Sequence, residues 1–373
     1  MERCDAIIVG AGPAGSSCAR DLVRAGLDVL VIERAQFPRH KPCAGWVTPG
    51  VFDTLGSGAA EYANGHTLQP IEGFRVCVCG RAARDVAFGR TVSYGIRRCE
   101  FDQYLLGRSG ARTAMGTAVA RIERTHDRWV LNDRLEAPIL VGAGGHFCPV
   151  AARVSPRELA GPLVLAQEIE VQVTDSQAAG CRTRATLPSL FFCPDLRGYG
   201  WVFRKGGFLN VGFGRQDGAS FLDLAHRFME WLVSEGEVPA GFPARWHGHA
   251  YLLWGRPQRP IVTEGALLVG DAAGLAAPSS GEGIRTAIES GQFAARAIVG
   301  ADGVYTRDRL EAYRILLEHQ YGAPPAALGS ITRLADRFQR AVGAHLVGQS
   351  WFARHFLARR FLGWQPESER LAG

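Results

Sequence analysis

Residues 5–33 read DAIIVGAGPAGSSCARDLVRAGLDVLVIE, and the fold is decided in this stretch. Residues 5–10 form a short, continuous apolar run, as a parallel strand buried on both faces requires. A glycine turn follows, then a helix from about Pro13 to Ala25 that Gly26 ends. Residues 28–33 form a second buried strand, so about thirty residues make a β-α-β unit. Within the turn, Gly10-Ala11-Gly12-Pro13-Ala14-Gly15 has the GxGxxG spacing. Gly10 permits the tight turn, Gly12 lets backbone approach a pyrophosphate, and Gly15 lets the helix pack near the strand. Pro13 and Ala14 open a helix whose free N–H groups and positive dipole end face the phosphates. Glu33 closes the second strand, where an acidic side chain accepts from the adenosine ribose hydroxyls. A carboxylate there disfavours a 2′-phosphate, so the site suits FAD or NAD rather than NADP.

Beyond this unit, residues 34–70 read as irregular and 71–90 as strands. A short helix is expected over 101–109, edge strands over 112–130 and a buried strand over 140–145. Residues 163–214 alternate polar and apolar, as an antiparallel sheet does. Residues 221–235 read as a helix, 266–270 as another buried strand, 281–298 as a helix, and the remainder as mostly helical. The expected organisation is α/β: a single-Rossmann FAD-binding domain in three pieces (1–70, 91–160 and 255–305), an inserted antiparallel substrate domain (71–90 and 161–254), and a helical C-terminal region (306–373).

A second motif separates FAD from NAD. Residues 267–284, LLVGDAAGLAAPSSGEGI, place Gly270 and Asp271 at the end of a buried strand and then a glycine-rich helix start at Gly281, Gly283 and Ile284. Asp271 suits ribityl hydroxyls, and the helix directs its dipole at negative charge such as that of a reduced flavin. Here the chain resembles the FAD-binding superfamily that includes para-hydroxybenzoate hydroxylase, flavin halogenases and geranylgeranyl reductases. Arg98-Cys99-Glu100-Phe101-Asp102 resembles its R-x-x-F-D helix start, whose Arg lies near the cofactor; a surface ion pair is the other reading of Arg98. Residues 141–145, VGAGG, resemble its ADG segment with Gly144 in place of Asp.

The resemblance narrows to the geranylgeranyl reductase family at three places. Residues 37–47, FPRHKPCAGWV, resemble its P-R-x-K-P-C-G-G stretch with Ala44 for the first Gly. Residues 194–205, PDLRGYGWVFRK, resemble its substrate-cavity motif Y-x-W-x-F-P: Tyr199, Trp201 and Phe203 match, and Arg204 stands for Pro. Residues 145–153, GHFCPVAAR, are also similar. The resemblance implies cofactor contacts from Arg34, Ala44 and Gly45 as well, and a Cys43 near the flavin that donates a proton or positions substrate. Tyr199, Trp201 and Phe203 alternate on one strand and share one face; they line an apolar slot for an elongated hydrocarbon or fill the core beneath the sheet.

Lys41 and Lys205 are the only lysines among 42 Lys and Arg residues, and both fall in these segments, with an anionic flavin or a lipid phosphate as candidate reasons. An arginine-rich net charge of +6 reflects codon usage more simply than nucleic-acid binding. Nine cysteines at irregular spacing suit a reducing cytoplasm. Cys77 and Cys79 read as strand residues, because no second pair completes a metal site. Neither a signal peptide nor a membrane span is read. The Arg-rich, aromatic stretch 345–364 suggests peripheral membrane contact or, more simply, a helix packed on the body.

The leading expectation is an FAD-dependent reductase of C=C bonds in an isoprenoid or similar apolar molecule. Hydride comes from reduced flavin, the proton from Cys43, a Tyr or water, and the transient electron donor is NAD(P)H, a reductase or a ferredoxin. A flavin monooxygenase of a secondary metabolite and a non-catalytic FAD electron carrier are the alternatives.

Overall fold

The computed structural model describes residues 1–155, 163–216, 218, 220–243, 245–255, 259–278, 280–323, 350–360 and 362. Residues 6–9 (AIIV) and 29–33 (VLVIE) are buried along their whole length, as their continuous apolar sequence requires. They sit inside a six-stranded sheet in the order Val262–Thr263, Ala266–Leu268, Ile139–Gly142, Ala6–Val9, Val29–Glu33, Arg112–Met115. Every pairing is parallel except the first. The helix between the first two central strands spans Pro13–Arg24 and packs on the helix Ile284–Gly300. Gly291 sets that approach, because a Cβ there would lie 2.2 Å from the Ala14 carbonyl oxygen, and Gly15 seats the first helix on the glycine turn, where a Cβ would lie 1.9 Å from the Gly10 carbonyl oxygen.

A seven-stranded sheet runs His247–Tyr251, Val164–Gln172, Phe208–Arg215, Gly198–Lys205, Ser189–Phe192, Gly73–Val78, Arg84–Ala87. It is antiparallel apart from the pairing of 73–78 with 189–192. Strand alternation divides its residues between two cores. Phe191, Val202 and Phe213 pack under the helix Phe221–Ser234; Gly200 is required there, because a Cβ would lie 2.2 Å from the Phe228 ring. Trp201, Phe203 and Phe192 pack on the other face, under Ala353, Leu357 and Ala358 of the helix Ser350–Arg360. The part of stretch 345–364 that is described thus packs on the body, with the Phe356 ring 5.5 Å from that of Phe192. Residues 345–349, 361, 363 and 364 lie outside the described residues. Among the described residues no helix is long and apolar enough to cross a membrane.

Three sequence expectations need correction. Residues 34–70 carry two short helices, Pro49–Leu55 and Ala59–Ala63, and two strands; Val51, Phe52, Leu55 and Tyr62 are buried and anchor them. Of the edge strands expected over 112–130, Arg112–Met115 is the edge of the parallel sheet and Ile122–Thr125 the edge of a separate four-stranded sheet, whereas Arg128–Leu131 lies inside that second sheet. The helix expected from Gly281 begins at Ile284. Gly281 has φ +75, in the left-handed region that glycine tolerates, and its turn delays the helix by three residues.

Candidate active site

The two sheets enclose one continuous cavity of about 810 Å³, within the usual range for ligand sites. One end is the glycine turn, where Gly10, Gly12, Pro13 and Ala14 line the wall. Gly10 holds φ +111, and a Cβ there would lie 2.4 Å from the Ala143 carbonyl oxygen, so its glycine is set by the protein's own packing. Gly12 differs. Its backbone is extended, with φ −72 and ψ −175, and a Cβ would meet nothing nearer than the Arg39 guanidinium at 3.6 Å. Among the described residues nothing demands a glycine there, so the space belongs to something else. The helix behind it has no side-chain cap and no acidic residue in its first turn, leaving its N–H groups for an anion. Arg39 supplies a cation: Nη1 lies 3.2 Å from the Asp102 carboxylate, yet it is buried without a well-oriented hydrogen bond. The pair is ionic, and the donor capacity of Nη1 remains to be satisfied. Glu33 braces the turn, its carboxylate accepting from Ala11 N at 3.0 Å and Ala35 N at 3.1 Å. An extended diphosphate with an adenosine beside Glu33 fits these groups in charge and shape.

Further along the cavity, Arg98 forms a two-point pair with Asp102 at 2.8 and 2.9 Å. Burial opposes the Arg98 charge, but the Asp102 and Cys43 contacts outweigh it and raise its pKa. Gly270 N is held by Ser290 Oγ at 3.0 Å, which fixes the turn bearing Asp271. Burial would raise the Asp271 carboxyl; the hydrogen bond from His249, with the charges of Lys41 and Arg98, outweighs it and lowers the pKa. His249 is central here. Its Nε2 lies 3.1 Å from Asp271 Oδ2 and its Nδ1 lies 2.9 Å from Lys41 Nζ. Burial lowers the Lys41 pKa to about 8.

At the far end the wall is aromatic: Trp46, Phe192, Tyr199, Trp201 and Phe356. Tyr199 Oη donates to the Ser280 carbonyl at 3.2 Å. Trp201 Nε1 donates to Asn210 Oδ1 at 2.8 Å, while Asn210 Nδ2 donates to the Cys43 carbonyl at 3.1 Å. One buried amide therefore ties the aromatic strand to the Cys43 loop.

Most residues expected from sequence line this cavity: Gly10, Gly12, Pro13, Ala14, Glu33, Arg34, Lys41, Cys43, Ala44, Arg98, Tyr199, Trp201, Gly270, Asp271, Gly281, Gly283 and Ile284. Phe203 and Lys205 stand outside it. Phe203 is buried against Trp46, ring centroids 5.8 Å apart, because its end of the strand dips beneath the Cys43 loop. Lys205 is fully buried and binds Glu170 at 2.8 Å; a Cβ on Gly45 would lie 2.6 Å from Lys205 Nζ. Lys205 therefore supports the loop from below, and Gly45 is glycine for its φ of +61 and because a Cβ there would lie 2.1 Å from the Ile96 carbonyl oxygen. Gly15 serves helix packing, as above. Sequence reading missed Arg39, Trp46, His249 and Phe356. His247 and His249 on one strand face were the only signal for His249.

Residues 5–99 match the family model described as FAD dependent oxidoreductase. The chain is 29% identical over 351 residues to the menaquinone reductase of Mycobacterium tuberculosis, covering 86% of this chain and 81% of that protein. It is 30% identical over 321 residues to the geranylgeranyl diphosphate reductase of Rhodobacter capsulatus, covering 79% of this chain and 74% of that one. The chain belongs to the geranylgeranyl reductase family of FAD-dependent oxidoreductases. A solved geranylgeranyl bacteriochlorophyll reductase-like protein from Thermoplasma acidophilum has the same fold: TM-score 0.76 over the whole of both chains at 20% identity. FAD is the cofactor of this family member, and the cavity has the elongated, anion-ready end that FAD requires.

Proposed function

We propose that this flavoprotein reduces carbon–carbon double bonds of an isoprenoid or similarly apolar substrate. The observation that carries the reading is the continuity of the cavity: one space runs from Gly12 and Glu33 to the Trp46, Tyr199 and Trp201 rings. A cofactor at one end and a hydrocarbon at the other would therefore touch. The names of the mycobacterial and Rhodobacter relatives agree with substrates that carry isoprenoid chains.

In this reading the parallel sheet carries the cofactor and the seven-stranded sheet carries the substrate. Gly12, Pro13, Ala14 and Arg39 hold the diphosphate, and Glu33 with Arg34 holds the adenosine end. Asp271 meets the ribityl hydroxyls; Gly270, Gly283 and Ile284 shape the wall beside the ring system, with Ala44 and Arg98 opposite. Gly10, Gly15 and Gly45 act by letting backbone segments come close, and Gly281 by its left-handed turn beside the Tyr251 hydroxyl. Bound FAD, once reduced by NAD(P)H or a reduced carrier protein, supplies a hydride. The protein does the rest: Tyr199 and Trp201 orient an alkene and keep water out, and Cys43 and Lys41 stand ready to manage the proton. Phe203 and Lys205 act at one remove, by supporting the loop that carries Cys43.

The test is to incubate the holoenzyme anaerobically with dithionite and a polyprenyl alcohol or diphosphate, and to analyse the lipid by mass spectrometry. Gain of two hydrogens per reduced double bond supports the reading. Unchanged lipid across chain lengths, with menaquinone also unchanged, overturns it.

A further inference from the structure

We infer that Lys41 Nζ is the proton donor to the substrate carbon and that His249 is its positioning residue. The inference rests on the reductive reading above and goes past it in choosing between the two candidate proton donors.

The geometry comes first. His249 lies on the strand His247–Tyr251 at the edge of the seven-stranded sheet, Lys41 lies in the loop after the second parallel strand, and Asp271 lies in the turn Gly270–Ala272 after the strand Ala266–Leu268. Three separate parts of the chain meet in one row: Lys41 Nζ, His249 Nδ1 at 2.9 Å, and Asp271 Oδ2 at 3.1 Å from His249 Nε2. All three residues line the cavity. The carboxylate sets the tautomer. An ionised Asp271 only accepts, so His249 Nε2 carries the hydrogen, and in the neutral ring Nδ1 is left as an acceptor. The donor that faces it is the Lys41 ammonium. An ammonium has three N–H bonds; His249 takes one and fixes the direction of the others. The Tyr251 ring, stacked 5.6 Å from that of His249, holds the imidazole plane.

The chemistry suits an acid. When the π bond breaks, one carbon receives hydride with two electrons and the other receives a proton. That proton leaves Lys41 Nζ, whose N–H bond breaks with its electron pair left on nitrogen, and water afterwards restores it. An ordinary lysine, with pKa ~10.4, is a weak acid for this task. Efficient general acids have a pKa near the working pH. Burial brings Lys41 to about 8. The charged and titratable groups around it are Asp271, which raises that value, Arg98 and Arg39, which lower it, and Cys43. The composition makes the test clean, because Lys205, the other lysine, is fully buried.

The first experiment needs no substrate. The holoenzyme is pulse-labelled with acetic anhydride across pH 6–11, and the Lys41 peptide is quantified by mass spectrometry, with unfolded protein as reference. We expect Lys41 to reach half-maximal reactivity near pH 8, and earlier still in His249→Phe, because removing the acceptor disfavours the ammonium. Titration at the ordinary lysine value, or a midpoint that His249→Phe leaves in place, overturns the role of His249. The second experiment uses single-turnover reoxidation of the reduced holoenzyme by a polyprenyl alkene. The rate should fall as pH rises through about 8, as an acid that must be protonated requires. Lys41→Arg should slow it by about a hundredfold, the usual general-acid contribution, and remove that alkaline limb, because guanidinium stays charged. If Cys43→Ala removes the limb while Lys41→Arg retains it, the thiol is the donor and the inference is wrong. If no alkene reoxidises any form but the labelling holds, the lysine held by His249 stands, and its role as proton donor falls with the substrate reading. His249→Gln is the companion variant should His249→Phe not fold.

Discussion

Replacing Gly12 by valine separates the ligand's demand for glycine from the protein's own. Gly12 has φ −72, which valine adopts, and its Cβ would meet only the flexible Arg39 end at 3.6 Å. The folded apo-protein should be unharmed, with stability within ~1 kcal/mol of the parent. The bound state is another matter. The side chain would occupy the path of the diphosphate and lift it from the helix N–H groups. Losing two charge-assisted hydrogen bonds at ~1.5–3 kcal/mol each costs ~3–6 kcal/mol, or a ~10²–10⁴-fold weaker FAD affinity at 1.4 kcal/mol per tenfold. Gly15→Val and Gly291→Val are the contrast: their Cβ atoms would lie 1.9 and 2.2 Å from carbonyl oxygens, so they should fail in folding before binding matters. The assay is thermal unfolding of apo-protein together with calorimetric FAD titration. A Gly12→Val protein that purifies yellow with full FAD occupancy refutes the placement of the phosphate end.

Lys205→Met removes one partner of Glu170, which keeps Arg97 at 3.2 Å and Asn210 at 3.1 Å; it should therefore cost ~1.5–3 kcal/mol in chemical denaturation, the usual contribution of one charge-assisted hydrogen bond. The Glu168 carboxylate, 3.2 Å from His40 Nε2, is the main cause of a raised His40 pKa; NMR titration should place its midpoint above the ordinary value and Glu168→Gln should return it there. A raised folded-state pKa stabilises at pH below the unfolded value and the contribution fades as pH rises through the folded one, so the Glu168→Gln difference in melting temperature should shrink from pH 5.5 to pH 8.5. Tyr199→Ala should raise KM for a polyprenyl substrate and leave FAD occupancy intact; Phe203→Ala should instead lower stability by ~3–5 kcal/mol with little change in KM.

The fold was legible because buried parallel strands and their glycine turn obey local rules: residues 5–33 contain strand, turn, helix and acidic strand end in one unbroken run. The cofactor side of the cavity was legible for the same reason, since Gly12, Glu33 and Asp271 stand at strand ends. What escaped was set by tertiary packing. His249 belongs to no local motif, and its meaning arises only when an edge strand, a loop and the Asp271 turn converge. Trp46 and Phe356 join the aromatic wall from segments far apart in sequence. The alternation of Tyr199, Trp201 and Phe203 correctly predicts a shared face, but not where the cavity stops along it: Trp201 is at its wall and Phe203 lies beyond, in the core.

The most direct measurement of the central claim is stopped-flow absorbance of chemically reduced holoenzyme, mixed in parallel with an anaerobic polyprenyl alkene and with air-saturated buffer. The account predicts fast flavin reoxidation by the alkene and slow reoxidation by oxygen. A transient peroxide-type absorbance in air, with no response to the alkene, would contradict it and make this family member an oxygen-activating enzyme.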